Sequence, residues 1–314
     1  MQGEIHGGTR AVGTLILGAS GFLGAQLARR QEGLALAAGL PGGAEQVVGV
    51  CRRPQASQAL FPGLALVACD LSVAGRATEL LDRLRPRRVL LAAALARQHD
   101  CDADPDLARC LNEELPGEVA ASCARRGARL VHISTDLVFS SRAPRGGFNE
   151  GAVPDATSVY GRSKARGEVR VLVAYPKALV VRLPLLYGDS LGRGLGASDG
   201  LLAALKRGER PLLFEDEWRT PLDVTAAAAA LVHLAQLEVA GLLHLAGPQR
   251  LSRLELGRTV LAARALAPHK VRAALRREVP GCVERPEDVS LCAARALALL
   301  PAPMPSPEEA LGAG

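Results

Sequence analysis

Five short apolar runs in the first 134 residues, each separated from the next by helical patterning or a polar turn, leave this chain few architectures. The runs are Thr14 to Leu17, Gln46 to Cys51, Leu64 to Ala68, Arg88 to Ala92 and Arg129 to Ser134. Their length suits strands, and helical periodicity predicts helices from about Gly21 to Gln31, over Ser72 to Leu84 with Ser72 as N-cap, and within Pro105 to Arg126. Strands alternating with helices mean βαβ units, so the expected fold is α/β, a doubly wound parallel sheet covered on both faces. A polar loop, Leu137 to Ser158, leads to a helix over Ser158 to about Ala174 and a sixth strand, Ala178 to Leu183, ending in Pro184. Beyond Pro184 the pattern loosens. Helices are expected near Gly200 to Arg207, Val224 to Leu237 and Ser252 to Ala265, and a strand over Leu242 to Ala246. Leu191 to Gly200 reads as a mobile glycine-rich loop, and the tail after Pro301 as frayed apart from Pro307 to Leu311. The expected division is a loose tail (1–12), a sheet domain (13–184) and a smaller C-terminal region (185–314), some of whose elements can return to the main sheet.

Composition narrows the function. Apolar residues make up 48% of 314 and aromatics only 3%, so the core is built from Leu, Val and Ala. The chain has few rings on which single-stranded nucleic acid could stack. Its formal charge is +6, but the arginines are scattered rather than gathered into a stripe. That argues against nucleic acid as a partner and suits a cleft for a small anion. The seven cysteines are odd in number and include no Cys-x-x-Cys pair, which points to a reducing, cytoplasmic setting and away from disulfides or a metal site. His132 falls inside a strand and reads as structural. No apolar stretch reaches 18 residues, so no membrane span is expected.

Gly18-Ala19-Ser20-Gly21-Phe22-Leu23-Gly24 lies between the first strand and the first helix. Glycines there permit a tight turn, close approach of a pyrophosphate to the backbone and close helix–strand packing. The helix N-terminus adds unpaired N–H groups and positive partial charge for phosphates. A dinucleotide is the ligand this arrangement suits. The second strand ends at Cys51-Arg52-Arg53, where an acid would accept a ribose hydroxyl and arginine accommodates a 2′-phosphate. The pair Arg52 and Arg53 therefore favours NADP(H) over NAD(H). After the third strand, Asp70-Leu71 offers an acid that either bonds the adenine amine or caps the following helix. Ala92, Ala93 and Ala94 after the fourth strand are small enough for a ribose to lie against the backbone.

The chain has only four lysines and three tyrosines, yet Tyr160 and Lys164 stand at i and i+4, 25 residues after Ser134-Thr135. Reducing a ketone requires a proton on oxygen as hydride reaches carbon. A phenol titrates near 10, and a cation one helical turn away favours its phenolate. Lys164 is placed to do this and to hold the nicotinamide ribose, while Thr135 or Ser134 would orient the substrate oxygen.

On these residues the chain resembles the extended short-chain dehydrogenase/reductases. Within them it resembles the dTDP-4-dehydrorhamnose reductase family, which also includes the methionine adenosyltransferase beta-subunit proteins. The segments that carry the likeness are His132 to Phe139, Val159 to Glu168, Arg219 to Val224, His244 to Gly247 and Arg285 to Leu291. The resemblance implies a Rossmann fold with a smaller substrate-binding region, and Thr135, Tyr160 and Lys164 as the catalytic triad. It implies cofactor contacts at Gly21, Phe22, Leu23, Ala92, Ala93, Ala94, Tyr160 and Lys164, and further cofactor contacts are expected at Gly18, Ser20, Gly24, Arg52, Arg53, Asp70, Leu71 and Pro184. Substrate contacts are implied at Ser134, Thr135, Asp136, Leu185 and Arg219, with Arg182 or Arg219 holding a diphosphate. Two positions depart from the family: Leu137 replaces a tyrosine, and Leu185 replaces an aromatic. Both alter the sugar pocket rather than the proton relay. The function so implied is NADPH-dependent reduction of a 4-keto sugar nucleotide, in a chain of a kind that can pair as a homodimer. The alternatives are an NADP-binding regulatory subunit like the methionine adenosyltransferase beta subunit, and a sugar-nucleotide epimerase.

Overall fold

Val12–Leu17 (β1) is buried along its whole length, as an apolar run must be when both faces of its sheet are covered. It sits within a seven-stranded sheet in a computed structural model that describes residues 12–37, 46–140 and 146–312. The other strands are β2 (Gln46–Cys51), β3 (Ala65–Ala68), β4 (Arg88–Leu91), β5 (Arg129–Thr135), β6 (Leu179–Leu183) and β7 (Gly241–His244). Their order across the sheet is β7-β6-β5-β4-β1-β2-β3. Every pairing is parallel, so the expected doubly wound sheet is observed. The winding reverses between β1 and β4, and the crevice beyond the carboxyl ends of those strands is where such sheets take ligands. The expected tail lies outside the described residues except for Val12, which opens β1.

Alternation along β1 builds two cores. Ile16 joins the face covered by helices Phe22–Ala37 and Val224–Leu234. Leu15 and Leu17 join the face covered by helices Arg76–Leu84 and Leu115–Arg126. Helix Val224–Leu234 and strand β7 both come from the later part of the chain, so that region does return to the main sheet. The Asp223 carboxylate starts this helix by accepting from the Thr225 and Ala226 N–H groups at 2.9 and 2.8 Å. Its alanine-rich face then packs on the first helix, which runs to Ala37, past its expected end at Gln31.

The rest of the later region is a satellite core around Tyr187, Leu201, Leu254, Val260 and Leu311. Three short strand pairs tie it together: Leu186–Tyr187 with Leu222–Asp223, Trp218–Arg219 with Leu251–Ser252, and Leu212–Phe214 with Arg272–Ala274. Helix Arg253–Ala263 opens on a capping box between Ser252 and Glu255, and helix Pro307–Gly312 buries Leu311 against it.

Two expectations are corrected. Ser72 caps nothing: its N–H and hydroxyl both donate to Asp70 Oδ1, at 3.0 and 2.6 Å. The helix begins instead at Arg76. Its N-terminal donors, Gly75 and Thr78, are satisfied by the Glu118 carboxylate of another helix, at 3.1 and 2.8 Å. The long helix expected within Pro105 to Arg126 is present and runs through a π-helical turn, Cys110–Glu114, between Pro105–Arg109 and Leu115–Arg126. The glycine-rich stretch after Leu191 becomes helix Gly196–Lys206, and the residues before it form a bonded loop. Among the described residues no helix is long and apolar enough to cross a membrane.

Candidate active site

The glycine turn closes as its spacing requires. Gly18 has φ +90°, and a Cβ there would lie 2.6 Å from the Ala93 backbone nitrogen. A Cβ on Gly24 would lie 2.1 Å from the Gly18 carbonyl oxygen. No side chain fits at either position, so the first helix sits tight against the turn, and the turn sits tight against Ala92 to Ala94 after β4. Ser20 and Phe22 are half-buried, Gly21 is exposed and Leu23 is buried. The helix N-terminus thus faces the crevice with backbone rather than side-chain bulk, a cradle that fits a dinucleotide's pyrophosphate. Arg52 and Arg53 are exposed at the end of β2. Asp70 is exposed, with Leu71 buried beside it. Ser72 hydrogen bonds, and then Arg52, hold its carboxyl below the usual range.

Ser158 accepts from the Gly161 N–H at 3.0 Å and starts helix Val159–Ala174, which carries Tyr160 and Lys164 toward the end of β5. Burial pushes the Tyr160 phenol well above its ordinary value, and the neighbouring Thr135 hydroxyl opposes that rise. Thr135 is fixed in turn: its hydroxyl donates to Asp136 Oδ1 and accepts from the Leu137 N–H, both at 3.2 Å. Lys164 is buried and its ammonium donates to the Ile133 carbonyl at 2.6 Å. Burial brings its pKa down to about 8 against the opposing pull of Glu168. Asp136 and Cys101 push the phenol in the same direction as burial.

Asp136 is a buried carboxyl whose Oδ2 makes no hydrogen bond and meets Arg219 Nε as an ion pair at 3.4 Å. Burial raises it to about 6, against the pull of Arg219 and Thr135. Arg219 is itself buried and also contacts Glu217 Oε1 at 3.2 Å, and Arg285 grips that same carboxylate at 2.7 and 3.0 Å. Pro184 is buried at the end of β6, and Leu185 is half-buried against the satellite core.

Ser134 does not face the cleft with Thr135. Successive strand residues point to opposite faces, and its hydroxyl donates to Glu168 Oε1 at 2.5 Å. Arg182 donates to both oxygens of Glu168, at 2.9 and 2.6 Å. With 1% of its side chain exposed, it cannot reach a diphosphate, so that expectation is corrected. His132 is fully buried with neither ring nitrogen bonded, and burial, with Lys164 nearby, lowers its pKa well below the usual value.

Asn112 was not anticipated. It is fully buried in the π-helical turn. Its side chain accepts from the Leu95 N–H at 2.9 Å and donates to the Leu95 carbonyl at 3.0 Å and to Ser163 Oγ at 3.1 Å. It thus locks the segment after β4 to the helix of Tyr160. A polar residue amid Cys110-Leu111-Asn112 was the available signal, and helical periodicity alone places it on no particular face.

The model of the RmlD substrate binding domain matches residues 12–313. A probable low-salt glycan biosynthesis reductase of Haloferax volcanii is 31% identical over 61% of this chain and 64% of its own length. A dTDP-4-dehydrorhamnose reductase of Mycobacterium tuberculosis is 36% identical over 59% of this chain and 61% of its own. The matched stretch thus spans less than two thirds of these relatives. The crystal structure of dTDP-4-dehydrorhamnose reductase from Bacillus anthracis in complex with NADP superposes with a TM-score of 0.78 over 96% of this chain and 97% of that one, at 24% identity. The extent of the family match, together with the glycine turn and the Thr135–Tyr160–Lys164 grouping, shows that the chain belongs to the RmlD substrate binding domain family.

Proposed function

We propose that this chain is an NADPH-dependent reductase of a 4-keto sugar nucleotide. The observation that carries the reading is the Thr135 hydroxyl neighbouring a buried Tyr160 phenol, with Lys164 one helical turn on and anchored to the same strand. Reductases of dTDP-linked keto sugars among the relatives, and NADP in the Bacillus anthracis protein, support the cofactor and the substrate class. Residues 13–184 would hold the dinucleotide and residues from 185 onward the sugar nucleotide.

Gly18 to Gly24 would seat the pyrophosphate, Arg52 and Arg53 the 2′-phosphate, and Ala92 to Ala94 with Pro184 the nicotinamide half. Bound in this cradle, the reduced nicotinamide supplies a hydride to the ketone carbon. Thr135 orients the carbonyl oxygen. Tyr160, kept protonated by burial, donates its phenolic proton to that oxygen, and Lys164 stabilises the phenolate left behind. Acid–base help of this kind contributes roughly 10²–10⁴-fold. Asp136 is positioned by Thr135 and Arg219 to accept from a sugar hydroxyl. Seven unpaired thiols support a reducing, cytoplasmic setting.

Replacing Tyr160 by Phe tests the assignment. Turnover of NADPH with a 4-keto sugar nucleotide is expected to fall by roughly 10²-fold or more, with the dissociation constant for NADPH within about twofold of the wild-type value. Activity near wild type in the variant removes the phenol from the mechanism.

A further inference from the structure

The loop between β6 and helix Gly196–Lys206 is bound to the glycine turn by side chains that the proposed mechanism does not use. Arg193 Nη1 donates to the Ser20 carbonyl at 2.5 Å, Nη2 to the Gly21 carbonyl at 3.4 Å and Nε to the Ser190 carbonyl at 2.8 Å. On the adjoining helix, Gln26 Nε2 donates to the Asp189 carbonyl at 2.8 Å. The Phe22 ring fills the space over Gly196, where a Cβ would come within 2.4 Å of it. The loop is also organised internally. The buried Ser190 donates from both its N–H and its hydroxyl to Asp199 Oδ2 at 2.7 Å, and that hydroxyl accepts from the Leu195 N–H at 3.1 Å. Asp189 Oδ1 accepts from the Leu191 N–H at 2.7 Å, and Leu191 takes the left-handed conformation at φ +59°.

A guanidinium has five N–H donors in a fixed fork. Arg193 uses three of them on carbonyls, which leaves two. Two of the carbonyls it holds, those of Ser20 and Gly21, belong to the backbone that opens the first helix, the place at which the dinucleotide's bridging phosphates would sit. Two carbonyl oxygens and the carbonyl of its own loop fix the fork without neutralising it. The carboxylate that acts on it is Asp189, which is also bonded to the Leu191 N–H.

We infer that Arg193 is a clasp on the cofactor's pyrophosphate, delivered from the later region of the chain so that the loop Asp189 to Leu195 and the dinucleotide hold one another in place. The inference rests on the dinucleotide reading given above. It adds a contact from outside the 13–184 segment and a route by which cofactor occupancy steadies the wall next to the substrate region.

The test is the dissociation constant of NADPH and of NADH, read by nicotinamide fluorescence for the wild-type chain and three variants. Arg193→Gln is expected to weaken both cofactors by the same factor, about 10- to 100-fold, as loss of a charge-assisted contact to phosphate does. Gln26→Ala cuts the neighbouring tie of the same loop without removing charge and should leave both constants within about twofold. Arg52→Gln with Arg53→Gln should weaken NADPH alone. A twofold or smaller effect of Arg193→Gln overturns the inference. An equal loss in Gln26→Ala overturns it too, since loop closure rather than the guanidinium would then be responsible. A change in the NADPH-to-NADH ratio in Arg193→Gln would move the contact to the 2′-phosphate and also overturn it. Wild-type protein that binds neither cofactor sinks the dinucleotide reading itself, and the clasp with it.

Discussion

Lys164 is the residue at which burial and chemistry oppose each other most directly. Its ammonium has one bonded partner, the Ile133 carbonyl, and burial lowers its pKa from 10.5 to about 8. A base with a depressed folded-state pKa favours the folded protein when neutral. Its contribution is therefore present above about pH 10.5 and is lost as pH falls through about 8. Lys164→Met removes this dependence. Below pH 8 the variant avoids the cost of a buried charge, so its stability relative to wild type should be greatest near pH 7 and shrink toward pH 10. Urea midpoints across that range check it, and a difference that stays constant with pH would show that the charge costs the fold nothing. The sequence placed Tyr160 and Lys164 together because fixed spacing on one helix leaves little freedom. It erred on Ser134. Strand alternation puts adjacent residues on opposite faces, and the partner that claims the Ser134 hydroxyl, Glu168, sits 34 residues away.

At the scale of elements, the first helix and the helix of Tyr160 were legible because caps and glycines mark their starts. The start of the helix Arg76–Leu84 was not. Its cap comes from Glu118, 40 or more residues downstream, and Asp70 diverts the serine that local sequence offered for the purpose. Glu118→Ala leaves two helix-start donors, Gly75 N–H and Thr78 N–H, without their carboxylate. A loss of about 1 kcal/mol in unfolding free energy is expected, the ordinary cost of removing a cap. Denaturant melts of the variant measure it, and an unchanged midpoint would mean that water replaces the carboxylate at no cost. The π-helical turn at Cys110–Glu114 was equally hidden. Its one extra residue turns Asn112 inward to hold Leu95, a tertiary reason that no window of helical periodicity contains.

For the whole molecule, the sheet order follows from alternating strand and helix patterns and the handedness of crossovers. The return of β7 and helix Val224–Leu234 was foreseen only as an option, because a chain leaving the sheet after Pro184 shows no local sign of where it re-enters. The consequence is functional. The Arg219–Asp136 pair and the Arg193 loop bring the later region against the strand ends and the glycine turn, so the proposed cofactor and substrate sites would share one crevice. In the proposed reaction this crevice passes a hydride to a keto sugar while Tyr160 supplies the proton. The direct measurement is the fall in NADPH absorbance when the wild-type chain meets a dTDP-linked 4-keto-6-deoxy sugar. The account predicts steady, enzyme-dependent oxidation that Tyr160→Phe removes. Tight NADPH binding with no oxidation by any 4-keto sugar nucleotide would contradict it and leave the chain as a cofactor-binding regulatory protein.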